Sequence, residues 1–251
     1  MLINILGNII KKNNLLIIFN KIIKRFEKNT SIDAKLWANS YVEMTTDKFL
    51  KEIDTNLYNE SIAVINEIVS QSKKKLNSIN ISLGGGGNYL LLYFLVRKFR
   101  PKIILETGVA AGWSTLAILK AINNNKLGKL YSSDFPYFRV KNPEKYIGFL
   151  VKDEKNLSEW TLDIRGDEVA LPFFASKFED NSIDFFHYDS DKSYSGRKKA
   201  MKILEKKLSK NSIIIFDDIQ NNLHFKDFVT KNNLKFRIFK FEGKFVGLIG
   251  V

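Results

Sequence analysis

KIILETGVAAGWSTLAILKAI, residues 102–122, holds a strand, a turn and a helix in one continuous run. Ile103, Ile104 and Leu105 follow Pro101 as a short apolar stretch, the pattern of a parallel strand buried on both faces. From Ser114 to Ile122 the apolar residues return at helical spacing. Between the two lies Glu106-Thr107-Gly108-Val109-Ala110-Ala111-Gly112. A strand that enters a helix through glycines and alanines lets a ligand approach the backbone, and the first N–H groups of the helix point at it. The turn therefore predicts a bound group that is anionic or polar. Its spacing excludes two common ligand motifs, because Gly108-x-x-x-Gly112 followed by Trp113-Ser114 matches neither G-x-G-x-x-G nor G-x-x-x-x-G-K-[ST].

Downstream, strand and helix patterns alternate. Residues 129–133 predict a second strand ending at Asp134, and residues 160–165 a third ending at Gly166-Asp167. Residues 183–188 predict a fourth ending at Asp189, and residues 212–216 a fifth ending at Asp217-Asp218. Ligands of an open parallel sheet bind beyond the carboxyl ends of its strands, so these acids should converge on one crevice with the glycine turn. A single Asp after a strand is usually a helix cap or turn former, but four strands ending this way exceed what turns require. Residues 235–241 and 245–251 alternate around Glu242-Gly243-Lys244 and predict a closing hairpin. His187 falls within the fourth strand as a core histidine, whereas His224 is placed to enter the crevice. Tyr194, Lys198 and Lys199 read as helix surface, with Tyr194 near enough to reach the site.

Upstream, residues 88–100 predict a helix stopped by Pro101, and Gly84-Gly85-Gly86-Gly87 breaks the chain before it, as a surface linker or as a loop facing the ligand. Residues 31–80 are helical and polar-rich, with Ile62, Ile65, Val69 and Leu76 on one face. Residues 1–28 repeat apolar pairs at helical distance among Lys11, Lys12, Lys21, Lys24, Arg25 and Lys28. Their longest apolar run, residues 15–19, is far short of the ~20 residues that span a bilayer. Such a basic amphipathic helix lies on a membrane, covers the core, or forms a dimer seam.

Composition narrows the classes further. At 251 residues the chain can bury one substantial core. It has no cysteine and two histidines, so disulfides, thiolate metal sites and His-based zinc sites are excluded, and a cytoplasmic location, peripheral to a membrane if residues 1–28 bind one, is expected. The 40 Lys+Arg against 27 Asp+Glu give a net charge of +13, which suits anionic surroundings or reflects a lysine-rich solvated surface. No Asn-Pro-Pro-Tyr or Asp-Pro-Pro-Tyr run and no aromatic-basic signature supports a nucleic-acid substrate.

An acid two positions before the first glycine, three small or apolar residues and a second glycine resemble the first motif of class I S-adenosylmethionine-dependent methyltransferases. The resemblance covers residues 84–251 and implies a Rossmann-like α/β fold. That fold has a doubly wound seven-stranded sheet, mostly parallel with a C-terminal antiparallel hairpin, here preceded by a helical N-terminal extension over residues 1–83. It further implies that the backbone of Gly108, Ala110 and Gly112, with Ser114, takes the methionine moiety of S-adenosylmethionine while Glu106 orients the turn. Asp134 would accept the ribose hydroxyls, and Gly166-Asp167 would meet the adenine edge. In small-molecule O-methyltransferases the position of Gly84–Gly87 faces the cofactor.

Two related families share the later motifs. Asp189-Ser190-Asp191-Lys192 with Asp217-Asp218 is similar to metal-dependent O-methyltransferases of the catechol and caffeoyl-coenzyme A type, which carry Asp-x-Asp-Lys and Asp-Asn there. It is also similar to bacterial methyltransferases with Asp-Gly-Asp-His-x-Tyr and Phe-Asp-Asp, and this chain mixes the two. The first likeness implies Asp189, Asp217 and Asp218 as oxygen ligands of Mg²⁺ or another divalent cation, with Asp218 replacing the usual Asn. Lys192 would be the base or electrostatic partner of the acceptor hydroxyl, and Asp189 or Asp191 the base if no metal binds. The implied activity is O-methylation of a small hydroxylated acceptor, sugar or phenol. A nucleic-acid methyltransferase and a non-catalytic cofactor-binding protein at a membrane surface are the alternatives.

Overall fold

The computed structural model describes residues 27–137, 140–154 and 157–251. Of the basic amphipathic segment, only Glu27 and Lys28 fall within these; the rest lies outside the described residues.

The N-terminal stretch folds as α1 (Ser31–Ser40), α2 (Thr46–Ile53) and α3 (Thr55–Asn77), followed by α4 (Tyr89–Phe99). Local chemistry sets the joints. Thr45 caps α2 by accepting from Lys48 N, and Asp54 closes α2 while its side chain caps α3 through Leu57 N. Asn88 caps α4 through Leu91 N and also donates its amide to Thr46 Oγ1 at 2.9 Å, which ties α4 to α2. Arg100 takes a left-handed conformation after α4, and Pro101 prevents its continuation.

The sheet contains β1 (Ile103–Thr107), β2 (Lys129–Ser133), β3 (Trp160–Asp163), β4 (Ile183–Tyr188), β5 (Leu208–Phe216), β6 (Phe236–Phe241) and β7 (Lys244–Ile249). Their order is β3-β2-β1-β4-β5-β7-β6. The first five strands are parallel, and β7 inserts antiparallel between β5 and β6, as the hairpin signal required. The crossovers are α5 (Trp113–Asn125), α6 (Asp167–Lys177) and α7 (Tyr194–Leu204), and α8 (His224–Lys231) leads into the hairpin. The seven-stranded, doubly wound sheet expected from the sequence is thus present.

Several strand bounds differ from the sequence reading: the hairpin strands run over Phe236–Phe241 and Lys244–Ile249 instead of 235–241 and 245–251, and β3 and β5 differ for identifiable reasons. β3 stops at Asp163, because its carboxylate accepts from both the backbone N and the guanidinium of Arg165 and turns the chain there. β5 starts four residues early, at Leu208 opposite Ile183, and the register then shifts before Ile213 pairs with Phe185. The polar residues Ser209, Lys210 and Asn211 occupy that irregular stretch and conceal the strand's beginning from a search for apolar runs.

Alternation along the strands sends successive side chains to opposite faces. Ile104, Phe185, Ile213 and Ile215 pack with α3, α4 and α5, while Leu105, Phe186, Ile214 and Phe216 pack with α6, α7, α8 and Ala38 of α1. The N-terminal helices therefore cover both faces. Leu91 to Val96 of α4 and Leu116 to Ile122 of α5 join one core, and each fully buried Leu or Phe contributes roughly 1.5–3 kcal/mol. This packing fixes where β1 ends and hence where its turn points. Among the described residues no helix is long and apolar enough to cross a membrane.

Candidate functional site

The turn after β1 is held from below. Glu106, the acid before it, is fully buried and accepts from Ser114 Oγ at 2.6 Å, Thr115 Oγ1 at 2.7 Å and Ser132 Oγ at 2.8 Å. A buried carboxylate with three hydroxyl donors links β1, β2 and the first turn of α5. Ser114, expected to face a ligand, spends its hydroxyl in this network inside the sheet. Gly108 adopts φ +85, and a Cβ there would run into the carbonyl of Asp189, so the tight approach of the β1 and β4 ends requires glycine. Ala110 is left-handed at φ +48 and aims its N–H at Asp134 Oδ2, 2.6 Å away.

Beyond this turn lies a cleft with a volume of about 360 Å³, within the range of small-molecule sites. Gly108, Ala110, Asp134, Gly166, Asp167 and Asp189 all line it. The structure thus brings together six residues drawn from four separate strand ends. Asp134 accepts from Ala110 N and Phe135 N, which leaves each oxygen a further lone pair for a ligand hydroxyl. Desolvation pushes its pKa up to about 6 against the two N–H bonds, with Asp167 and Glu106 adding repulsion. Asp167 accepts from Ser133 Oγ at 2.6 Å and from Ser190 Oγ. Tyr137 also lines the cleft, and its buried hydroxyl has no hydrogen-bond partner among the described residues. The sequence reading missed it; its only signal is its place three residues after Asp134.

Next to the cleft, Asp189, Asp217 and Asp218 bring one carboxylate oxygen each within 4.8 Å of one another. Lys192 Nζ bridges two of them, touching Asp189 Oδ1 and standing 2.8 Å from Asp218 Oδ2. Lys244 Nζ lies 3.6 Å from Asp217 and 3.9 Å from Asp218. Burial pulls the Lys192 pKa down, but Asp189 and Asp218 outweigh it and hold the ammonium. Asp217 is fully buried with neither oxygen hydrogen-bonded among the described residues, and burial with repulsion from Asp189 pushes its pKa up to about 7. Asp218 goes the other way despite its burial, because Lys192 and Lys244 face it.

Three further groups surround this cluster. His187 is buried with both ring nitrogens unpartnered, and Glu106 Oε1 lies 3.6 Å from Nδ1. It is in the core as expected; burial lowers its pKa, and Glu106, Asp189 and Asp217 together outweigh burial and raise it. Gly86 and Gly87 are buried, and a Cβ on Gly87 would meet His187 Nε2 at 3.0 Å and Asp217 Cγ at 3.7 Å. Gly87 therefore lies against Asp217 of the acid cluster and Gly86 against Trp113, while Gly84 and Gly85 are exposed. Arg197, on α7, is fully buried and donates to the carbonyls of Asp217 and Asp218. The sequence hid it in the run Arg197-Lys198-Lys199, which reads as a solvated helix face.

Other candidates sit elsewhere. Asp191 lines the cleft but also accepts from Ser193 N at the start of α7. Tyr194 donates its hydroxyl to Asp227. His224 stacks on Phe228 with its pKa lowered to about 3 by burial, and lines a groove near the start of β5 instead of the crevice. Trp113 stacks on Tyr89 beside the glycine loop, with ring centroids 5.7 Å apart.

Residues 105–219 match the family model described as a methyltransferase domain, which runs from β1 to just past the Asp217-Asp218 pair. No curated protein matches the chain in sequence. Among solved structures, the O-methyltransferase TomG from Streptomyces achromogenes, in complex with SAM, is similar at a TM-score of 0.59 and 13% identity over 74% of this chain and 89% of that one. The SAH-bound methyltransferase PaMTH1 of Podospora anserina gives 0.54 and 16% over 72% and 86%, and a methyltransferase from Geobacter sulfurreducens 0.53 and 15% over 74% and 90%.

Proposed function

We propose that this chain, whose residues 105–219 match a family model described as a methyltransferase domain, moves the methyl group of S-adenosylmethionine to a hydroxyl oxygen of a small acceptor held at the three-carboxylate cluster. The observation that carries this reading is the adjacency of two differently built sites: a cleft lined by Gly108, Ala110, Asp134 and Asp167, and beside it the Asp189, Asp217, Asp218 cluster. SAM and SAH in the similar structures support the choice of cofactor. In this reading the backbone at Gly108–Gly112 receives the methionine moiety, Asp134 the ribose hydroxyls, and Gly166-Asp167 the adenine edge. Tyr137 supplies a hydroxyl donor from the opposite wall.

The acid cluster fits a hard divalent cation such as Mg²⁺. Three carboxylates converge, and both Asp217 oxygens are buried without any donor, which an oxygen-seeking cation would satisfy. Asp189, Asp217 and Asp218 would hold it, and the ion would lower the pKa of an acceptor hydroxyl. Lys192 and Lys244 are the positive charges that meet these acids in the structure, and Lys192 would give up Asp189 and Asp218 to such an ion. An ammonium held charged is an electrostatic partner for a developing oxyanion, which favours that role for Lys192 over general base. Positioning supplies most of the remaining rate in an in-line transfer.

The test is methyl transfer from labelled S-adenosylmethionine to a panel of sugars and phenols, with Mg²⁺ and with excess chelator. Transfer that stops in chelator supports the full reading. Full activity in chelator removes the metal and returns the role of base to Asp189 or Asp191.

A further inference from the structure

Arg197 has no role in the reaction just described, yet its placement is unusual. Its side chain is fully buried, and in the described structure it forms two hydrogen bonds, both from Nη2, to the carbonyls of Asp217 and Asp218 at 2.9 Å each. Nε and Nη1 are buried and have no hydrogen-bond partner among the described residues. An interior arginine that leaves two donors unmet adds little to fold stability, and a packed apolar side chain would serve a core better. What it does meet is the one turn that carries two of the three cluster acids. Asp218 sits there at φ +53 and ψ +39, a left-handed conformation unfavourable for a residue with a side chain. This conformation sends the Asp218 carboxylate toward Lys192 while Asp217 stays buried beside His187 and Gly87.

The location of Arg197 on α7 adds a second constraint. That helix begins at Tyr194, capped by Ser193, immediately after the Asp189–Lys192 run at the end of β4. Its guanidinium reaches across to the end of β5. One side chain thereby ties the β5 turn to the helix that follows the Asp189–Lys192 run. It also brings a permanent positive charge under three carboxylates, with Asp218, Asp217 and Asp189 all acting on it.

We propose that Arg197 is a positioning residue that holds the Asp217-Asp218 turn in its left-handed form, so that the three carboxylates converge on one point able to grip a divalent cation. The proposal rests on the metal-assisted reading of the cluster. Groups that orient metal ligands from behind typically change metal affinity by about 10–100-fold when removed.

The experiment compares full-length wild type, Arg197→Met and Arg197→Lys for Mn²⁺ binding by electron paramagnetic resonance, SAH binding by calorimetry, and thermal unfolding. Arg197→Met should bind Mn²⁺ at least about tenfold more weakly, with SAH affinity unchanged, and Arg197→Lys should recover part of the loss through a single donor. Mn²⁺ affinity equal to wild type in folded Arg197→Met overturns the proposal. If Arg197→Met does not fold, Arg197→Lys decides: Mn²⁺ affinity at the wild-type level overturns it, and a selective loss supports it. A wild-type protein that takes up no Mn²⁺ overturns the metal reading alone, and kcat in chelator then decides for Arg197. In that case a fall of about tenfold with the KM for the cofactor unchanged supports positioning of the acids, and an unchanged kcat overturns it.

Discussion

At Asp217 burial and a neighbouring carboxylate push in the same direction, so the residue holds its proton to about pH 7, against 3.8 when unfolded. Between those values the folded state binds more protons than the unfolded state. The stability this residue contributes is therefore complete below about pH 4 and lost as the pH rises through about 7. At ~1.4 kcal/mol per pKa unit, the change is at most roughly 4 kcal/mol. Asp217→Asn should flatten the decline in unfolding free energy between pH 5 and pH 8 that denaturant titrations of the wild type would show; equal slopes would refute the burial account. Asp134 makes a different prediction, since its carboxylate both receives Ala110 N–H and faces the cleft. Asp134→Ala should weaken SAH binding by about tenfold or more, the cost of losing hydrogen bonds to a charged acceptor, as read by calorimetry. The sequence identified Asp134, Asp189 and Asp217 because each follows an apolar strand. It concealed Tyr137 and Arg197, because nothing in local pattern distinguishes a buried phenol or guanidinium from a surface one.

Among the elements, the strand–turn–helix unit of β1 and α5 was the most legible, because a strand buried on both faces and a glycine turn leave direct marks in composition. The ends of β3 and β5 were not. One is set by a side-chain bond from Asp163 to Arg165 and the other by an irregular polar stretch, and neither alters hydrophobic periodicity. The four-glycine run admitted two readings, and the structure divides it: Gly84 has open space around it, whereas Gly87 lies against His187 and Asp217. Gly108→Ala should be severe, adding a strained backbone of about 1–3 kcal/mol to a collision with Asp189, and should lower the melting temperature and abolish SAH binding. Gly84→Ala should leave both unchanged. Similar behaviour of the two variants would mean that the β1–β4 approach is looser than the geometry requires.

Over the whole molecule, a chain of net charge +13 concentrates Asp134, Asp167, Asp189, Asp217 and Asp218 at one end of its sheet. Fold stability does not call for that concentration, since burying and crowding carboxylates costs free energy. Function accounts for it, as the strand ends are where an open α/β sheet presents its ligands. The fold could be read from periodicity because the central parallel strands β1, β4 and β5 each carry an apolar run. The acceptor could not, because its pocket is shaped by loops whose residues follow no period. The measurement that tests the account most directly is transfer of label from S-adenosylmethionine to hydroxylated acceptors by wild type and Asp189→Asn, with SAH binding measured in parallel. The account predicts labelled O-methyl product with wild type in Mg²⁺, its loss in Asp189→Asn, and SAH binding retained in both. Absence of SAH binding together with absence of transfer in the wild type would contradict it.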